Sequence, residues 1–279
     1  MREWQNGEMS RSAWARVGMV VVLLGLAATG GPAAAQFTTD SVKARLAAVT
    51  GSDIPDLSGL DLSGLDLRGL DFRQADLTKS KLVGTNFSSA NLFACDLTDA
   101  TASKADFHGA NMDGTTLRRT DLRGANLHGA SLFATIVERA DLTEADLGET
   151  RIIGYLKDAK LVRASLVKAN IGADPGNQSM GVMRAQFVGA DVSGADFTGA
   201  NLLKADFSYA HLVGTILTDT NLGNAVLVQA DLTRADVSRA DVTGADLNGA
   251  VFTGAKGVAT LKGLEQTRNR DKAVFDKQD

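Results

Sequence analysis

The sequence predicts an all-β solenoid, in which short extended pieces of chain wind around one continuous apolar core. A large apolar residue recurs at every fifth position, a small residue (usually Ala) stands two positions before it, and Asp or Asn fills the position between them. The apolar series begins with Leu57, Leu62, Leu67, Phe72, Leu77, Leu82 and Phe87 and continues, with interruptions, to Phe252. Internal repeats of this kind are typical of architectures in which each repeat packs mainly on its neighbours.

A period of five residues is incompatible with a regular helix and with a flat strand. On an α-helix, five residues advance the side-chain direction by a net of about 140°, so the apolar positions would spread over all faces. On a flat strand, an odd period sends successive apolar residues to opposite faces. The chain therefore has to turn once per repeat to keep every central Leu or Phe inside, and Gly, Ser, Thr and Asx residues suit those turns.

The repeats follow the signature A-(D/N)-L-x-x, as in ADLTK, ANLFA, ADFHG, ANLHG, ADFTG and ADVSR. On this signature the chain resembles the pentapeptide repeat family, and the resemblance covers residues 56–255. The resemblance implies a right-handed quadrilateral parallel β-helix with four pentapeptides per coil, and the matching residues suffice for about ten coils. At the usual β-spacing the rod would be about 45–50 Å long.

Residues 1–35 form a separate segment that has the features of a secretory signal peptide. Three arginines precede the apolar run 17–28, and Ala33 to Ala35 provide an A-x-A cleavage pattern. The run is short for a bilayer span. We expect cleavage after Ala35, a mature chain in the periplasm or outside the cell, and no membrane span after cleavage. An uncleaved anchor is the alternative.

Both ends of the predicted solenoid require covers, because an open core and unpaired strand edges favour aggregation. Residues 36–55 are predicted to contain a short amphipathic helix, with Thr39 or Asp40 as its N-cap and Gly51 as its stop. The apolar face of this helix is Val42, Leu46 and Val49. Residues 256–279 are predicted to form a C-terminal helical cap or tail.

Two irregular stretches, residues 155–158 and 174–184, interrupt the repeat. The first loses one residue relative to the period and the second gains one, so the phase of the repeat is the same before and after both. With Leu57 on side 1 of the first coil, this count places the two irregularities one above the other, on side 1 of the sixth and seventh coils. The count predicts one continuous core through Pro175 rather than two domains.

The sequence contains no nucleophile–base pair, Gly-rich phosphate loop or CxxC motif, so we expect no enzyme activity, no cofactor and no metal. His108 and His128 are four repeats apart and should stack outward on adjacent coils. A metal site requires three or four ligands, and the next positions in the same row, Ser88 and Gly148, supply none. Cys95 takes an inward Ala position, where a thiol behaves as a small apolar group.

The outward positions suggest a contact surface. Most repeats carry Ser, Thr, Gly or a charge just after the central residue, but some carry Val, Met or Leu. The count above predicts a row of Val162, Met183 and Leu203 on side 2, with Val167, Val188, Val228 and Tyr209 near one another on side 3. A contiguous apolar strip of this kind is typical of a protein-interaction site.

Charge and composition favour a binding role. Removing residues 1–35 takes three basic and two acidic side chains from the 29 and 33 in the chain, which leaves a net charge of about −5. This charge suggests no nucleic-acid binding. We expect an exported, non-catalytic scaffold or interaction module with a protein partner that the sequence does not identify. The sequence leaves open whether the chain forms a homodimer. The alternative, implied by the family resemblance, is a DNA-mimicking protein that binds DNA gyrase.

Overall fold

The computed structural model describes residues 37–51, 53–173 and 184–276, and these residues form a parallel β-solenoid. Parallel bridges join residues four repeats apart over most of the chain, as between Asp56 and Asp76, so four repeats make one coil. The Leu57 amide donates to the Asp76 carbonyl oxygen at 2.8 Å, and the Asp76 amide donates to the Pro55 carbonyl oxygen at 2.9 Å. Backbone hydrogen bonds of this kind hold each coil to the next.

The bridged residues form four columns that run along the solenoid. Column 1 starts at Asp56, column 2 at Asp61, column 3 at Asp66 and column 4 at Asp71. The residue after each bridged position is the central apolar residue of its repeat. Each column marks one side of the solenoid.

Continuous strands occur at one place in the described part of the chain. Strand β1 (Ser131–Ile136) pairs in parallel with β2 (Arg151–Tyr155), and the register slips between Phe133 and Thr135. The slip accommodates the residue that β2 lacks relative to the period. The structure therefore places the loss at Ile153–Gly154, between columns 4 and 1, and the predicted position at residues 155–158 is slightly too late in the chain.

The core contains the central Leu, Phe and Ile residues and the small residues before them, as the repeat predicts. Both sets are almost fully buried from Leu57 to Phe252. Phenylalanines stack along the axis: Phe87 and Phe107 have ring centroids 5.3 Å apart, and Phe187 and Phe207 are 4.7 Å apart. Among the described residues, no buried side-chain nitrogen or oxygen lacks a hydrogen-bond partner, so the polar groups of the interior are satisfied.

The Asp and Asn residues of the repeats stabilise the turns, as expected. Asp76 Oδ1 accepts a hydrogen bond from the Thr78 amide at 2.9 Å, and equivalent bonds recur along the chain. In column 4, amides also bond between coils: Asn91 donates to Asp71 at 3.1 Å, and Asn221 donates to Asn201 at 3.2 Å. These residues therefore have a structural role that explains their recurrence.

A short helix covers the N-terminal end. Helix α1 (Thr39–Ala47) buries Val42 completely, and Arg45 donates to the Asp56 carbonyl oxygen at 2.9 Å. The helix was predicted, but its N-cap is Thr38, one residue earlier than expected. Thr38 and Ser41 form a reciprocal capping box. Leu60, Leu65 and Leu70 of the first coil, where Ala is usual, pack against the core near this end.

We expect Val42→Asp to detach α1 and leave the solenoid folded. The substitution places a carboxylate where the native side chain is fully buried, and the first coil would then expose open strand edges. Light scattering should show self-association that increases with protein concentration. Ala44→Asp, on the exposed face of the same helix, is the control and should remain dispersed. Unchanged hydrodynamic size for Val42→Asp would contradict the capping role of α1.

The C-terminal end differs from the predicted helical cap. Three single-turn 3₁₀ helices, Val258–Thr260, Leu264–Gln266 and Arg270–Lys272, alternate with the bridged residues Lys256, Lys262, Arg268 and Val274. These bridges are six residues apart, so the chain continues to wind as a wider coil. The Phe275 ring stacks on Phe252 at 4.9 Å and covers that part of the core. No regular apolar stripe of helical period was present to hold an α-helix here.

The second irregularity is larger than the phase count predicts. Tyr155 is bridged to Gln186, whereas a bridge four repeats further along would reach residue 175. The chain therefore gains eleven residues between Ile171 and Phe187, not one. The described residues that flank the gain, Asn170 and Gln186, belong to columns 4 and 1, which are also the two columns that flank the loss. The core continues from Leu156 to Phe187 across this point.

Two predictions concern residues that the structure does not describe. The predicted signal peptide, residues 1–35, and residues 174–183 lie outside the described part of the chain. Within residues 37–51, 53–173 and 184–276, no helix is long and apolar enough to cross a membrane.

Candidate functional site

The predicted apolar strip does not form as one surface. Val162, Val167 and Leu203 each directly follow the central apolar residue of their repeats, but the repeats lie on different sides. Val162 lies on column 2, Val167 on column 3 and Leu203 on column 4. Met183 lies outside the described residues. The side assignment is wrong because the eleven extra residues rotate every later repeat by two columns relative to the count.

Three of the predicted residues do share a side of the solenoid. Val188, Tyr209 and Val228 all lie on column 1, where the Tyr209 amide donates to the Val228 carbonyl oxygen at 2.8 Å. Tyr155 and Val226 occupy bridged positions of the same column. We call these five residues the column 1 apolar group. Its two tyrosines are the most exposed members, at 48% for Tyr155 and 61% for Tyr209.

Paired charges continue column 1 towards the N-terminus. Arg118 Nε lies 3.1 Å from Glu138 Oε2, and Arg119 forms two hydrogen bonds of 2.7 Å with the Asp99 carboxylate. The Asp99 pKa is lowered by these bonds from Arg119. The charges join successive coils on the outside, and they bound the column 1 apolar group on one side.

The outward histidines stack as predicted. The His108 and His128 ring centroids are 5.8 Å apart with an interplanar angle of 17°, and both residues follow central residues of column 3. His211 belongs to column 2. The predicted stacking follows directly from the four-repeat offset between successive coils.

Two carboxylates beside His128 were missed by the sequence analysis. His128 Nδ1 lies 3.6 Å from Asp146 Oδ2, and Nε2 lies 3.9 Å from Glu149 Oε2. The ring lies over Gly148, where an added β-carbon would be 2.8 Å from Nδ1. Gly148, in the next coil, therefore leaves room for the imidazole because it has no side chain. Its neighbours Asp146 and Glu149 supply the two carboxylates.

The Cys95 thiol is unreactive. Burial raises the pKa of Cys95 to about 12, and its thiol donates to the Phe72 carbonyl oxygen at 3.0 Å. A neutral, buried thiol is a poor nucleophile. In the described ranges, no three His, Cys, Asp or Glu side chains already converge on a metal-binding point.

Several surface aspartates have lowered pKa values, and the causes are local. Hydrogen bonds from Arg123 lower the pKa of Asp121, those from Arg239 lower the pKa of Asp219, and the hydroxyl of Thr243 does so for Asp241. A lowered folded-state pKa adds stability above the unfolded value of about 3.9, and that stability is lost as pH falls through the folded value.

We therefore expect stability to be nearly constant from pH 7 to about pH 5 and to decrease below about pH 4. Thermal unfolding followed by circular dichroism across this range measures the effect. Asp121→Asn should reduce the acid-dependent part, because the asparagine amide does not ionise and can accept from Arg123 at only one of the two positions that the carboxylate offers. Asp271→Asn, at an exposed position, is the control. A melting temperature that is unchanged from pH 5 to pH 2 would contradict this linkage.

The family model for pentapeptide repeats matches residues 56–92, 90–129, 120–154, 183–219 and 215–254, with eight copies. The chain belongs to the pentapeptide repeat family. This membership confirms the resemblance seen in the signature, and proteins of the family are generally non-catalytic. No curated protein sequence matches the chain.

Solved pentapeptide repeat structures resemble the chain. HetL from the cyanobacterium Nostoc, a protein involved in heterocyst differentiation regulation, is 25% identical over 86% of this chain and 95% of its own, with a TM-score of 0.47. Trypsin-treated QnrB1, a plasmid-mediated fluoroquinolone resistance protein, is 18% identical over 74% of this chain and 91% of its own, with a TM-score of 0.53. The likeness to QnrB1 supports the β-helical fold alone.

Proposed function

We propose that this pentapeptide repeat protein is an exported, non-catalytic scaffold that binds a protein partner through the column 1 apolar group. The observation that carries the proposal is the grouping of Tyr155, Val188, Tyr209, Val226 and Val228 on one side of a solenoid whose other outward positions are mostly polar. Exposed, rigid tyrosines supply large contact areas at a small cost in side-chain entropy. Solenoids in general offer such extended surfaces for binding.

The proposed architecture is a right-handed quadrilateral β-helix of about ten coils. The four columns and the four-repeat offset support four sides per coil. A crystal structure of the mature chain tests the handedness and the closure of the sides. A left-handed path, or coils with three sides, would contradict this architecture.

Charge pairing supports a scaffold more than a nucleic-acid mimic. A surface that resembles DNA requires a continuous negative potential. Here the acidic residues Asp99, Glu144 and Asp219 each form an ion pair with an arginine. These pairs interrupt any negative stripe.

Export is tested by fractionation and N-terminal sequencing. We expect the mature chain outside the cytoplasm, beginning at Gln36. An intact chain confined to the cytosol would contradict export.

The binding surface is tested by site-specific crosslinking in the compartment where the mature chain is found. A photoreactive residue at position 209 should give a discrete crosslinked product, and the same residue at position 162, on column 2, should not. Tyr209→Asp should remove the product while preserving the circular dichroism spectrum. Equal crosslinking from positions 209 and 162 would contradict the assigned surface.

A further inference from the structure

We propose that His108, His128 and Glu149 form a Zn²⁺ site on the outside of column 3, with Asp146 as the residue that orients His128. The inference is independent of the proposed partner surface, which lies on column 1. It starts from the unusual environment of His128, whose two ring nitrogens each face a different carboxylate. Imidazole nitrogen and carboxylate oxygen are both ordinary zinc ligands.

The distance between two of the ligands is close to what one ion requires. Zinc–nitrogen and zinc–oxygen bonds are about 2.1 Å, so two tetrahedral ligand atoms lie about 3.4 Å apart. His128 Nε2 and Glu149 Oε2 are 3.9 Å apart. The Glu149 side chain is 58% exposed, so it can close the remaining distance without moving the core.

The opposite nitrogen of His128 faces a second carboxylate, as the second nitrogen of a zinc-bound histidine usually does. Zinc-binding histidines commonly donate the other ring N–H to a carboxylate, which fixes the tautomer and the ring orientation. His128 Nδ1 is 3.6 Å from Asp146 Oδ2, slightly beyond hydrogen-bond distance. A proton on Nδ1 leaves the Nε2 lone pair directed to the Glu149 side of the ring.

His108 supplies the third ligand. Its ring is nearly parallel to that of His128 at 5.8 Å, and the residue is exposed, so rotation about its side-chain bonds can bring a nitrogen to the ion. The three ligands come from three successive coils, because 108, 128 and 149 follow one another along column 3. Zinc would therefore clamp these coils together, and water would complete its coordination.

The test uses the full chain without a polyhistidine tag, stripped with chelator and titrated with Zn²⁺ by isothermal calorimetry. We expect one ion per chain and a higher melting temperature in the presence of zinc, reversed by chelator. With Cu²⁺ as a spectroscopic probe, electron paramagnetic resonance should show nitrogen ligation. No binding up to about 1 mM Zn²⁺ would overturn the proposal.

The variants identify the ligands. His128→Ala should eliminate binding, and His108→Ala and Glu149→Gln should each weaken it at least about 10-fold. Asp146→Asn should weaken it about 10- to 100-fold, as expected for a residue that orients a ligand. His211→Ala is the matched control on column 2 and should bind zinc as the unmodified chain does.

Two results would contradict the assignment: retained affinity in His128→Ala, or lost affinity in His211→Ala. Circular dichroism spectra and melting temperatures in chelator show whether each variant is folded. His128→Gln, which keeps a polar side chain of similar length, repeats the central test if the alanine variant unfolds.

Discussion

We expect Phe207→Ala to lower the free energy of unfolding by about 3–5 kcal/mol, the range for a Phe deleted from a packed core. Phe207 is fully buried, its ring stacks on Phe187 at 4.7 Å, and it meets Phe197 edge-on at 6.2 Å. A solenoid core is narrow, so few neighbouring side chains can move into the space that the ring leaves. Urea denaturation followed by circular dichroism measures the change through the shift in midpoint.

Phe93→Ala is the matched control, because it removes the same side chain from an outward position of column 4. Phe93 is 44% exposed, and its loss should cost less than about 1 kcal/mol. Phe207→Leu, which keeps most of the apolar volume, should fall between the two. Equal effects of Phe207→Ala and Phe93→Ala would show that the inward row does not determine stability.

The repeat predicts the core well because each signature position has one environment. Leu77 and Phe87 are inward for the same reason, namely that the chain turns once in every repeat, and Asp76 bonds the following turn. The period also predicts the His108–His128 stack, since four repeats return the chain to the same side. These are local or periodic properties, and the sequence carries them in full.

The sides occupied by the later repeats could not be predicted from the period. The sequence period gives only the position of a residue within its five-residue repeat. It does not give the side of the solenoid, which recurs only after four complete repeats. A gain of eleven residues has the same phase as a gain of one, so Val192 and Leu202 look equally regular under both counts. The structure resolves the ambiguity through the bridge from Tyr155 to Gln186.

The carboxylates beside His128 were missed for a different reason. Glu149 lies at a corner position, and its side chain reaches back towards the preceding coil to a distance that depends on rotamers. The sequence signal was present in Gly148, since a missing side chain beside a stacked histidine leaves room for the ring. Only the structure shows that this room is filled by the imidazole and bordered by two acids.

The second large effect is expected for Gly154→Ala, at the point where the chain is one residue short. A β-carbon at this position would lie 2.2 Å from the Thr135 carbonyl oxygen, which belongs to the backbone of the neighbouring strand. The contact can be relieved only by moving β1 or β2, and overpacking of this kind costs about 3 kcal/mol. Urea denaturation measures the loss, and amide hydrogen exchange should show weakened protection at Val137, whose amide donates to the Tyr155 carbonyl oxygen at 2.7 Å.

Gly223→Ala is the control for Gly154→Ala. An added β-carbon there meets mainly side-chain ends, at 3.0 Å from Asn221 Oδ1 and 3.1 Å from Leu203 Cδ1. The Leu203 end can rotate away, and Asn221 Oδ1, which accepts from the Gly223 amide, has to shift by only a few tenths of an ångström. We therefore expect a loss below about 1 kcal/mol. A small loss in both variants would mean that the short strand tolerates displacement. Because Gly154 precedes Tyr155, the first member of the column 1 apolar group, its displacement should also reduce crosslinking from position 209. The tight approach of β1 and β2 would then be a requirement of the proposed binding surface as well as of the fold.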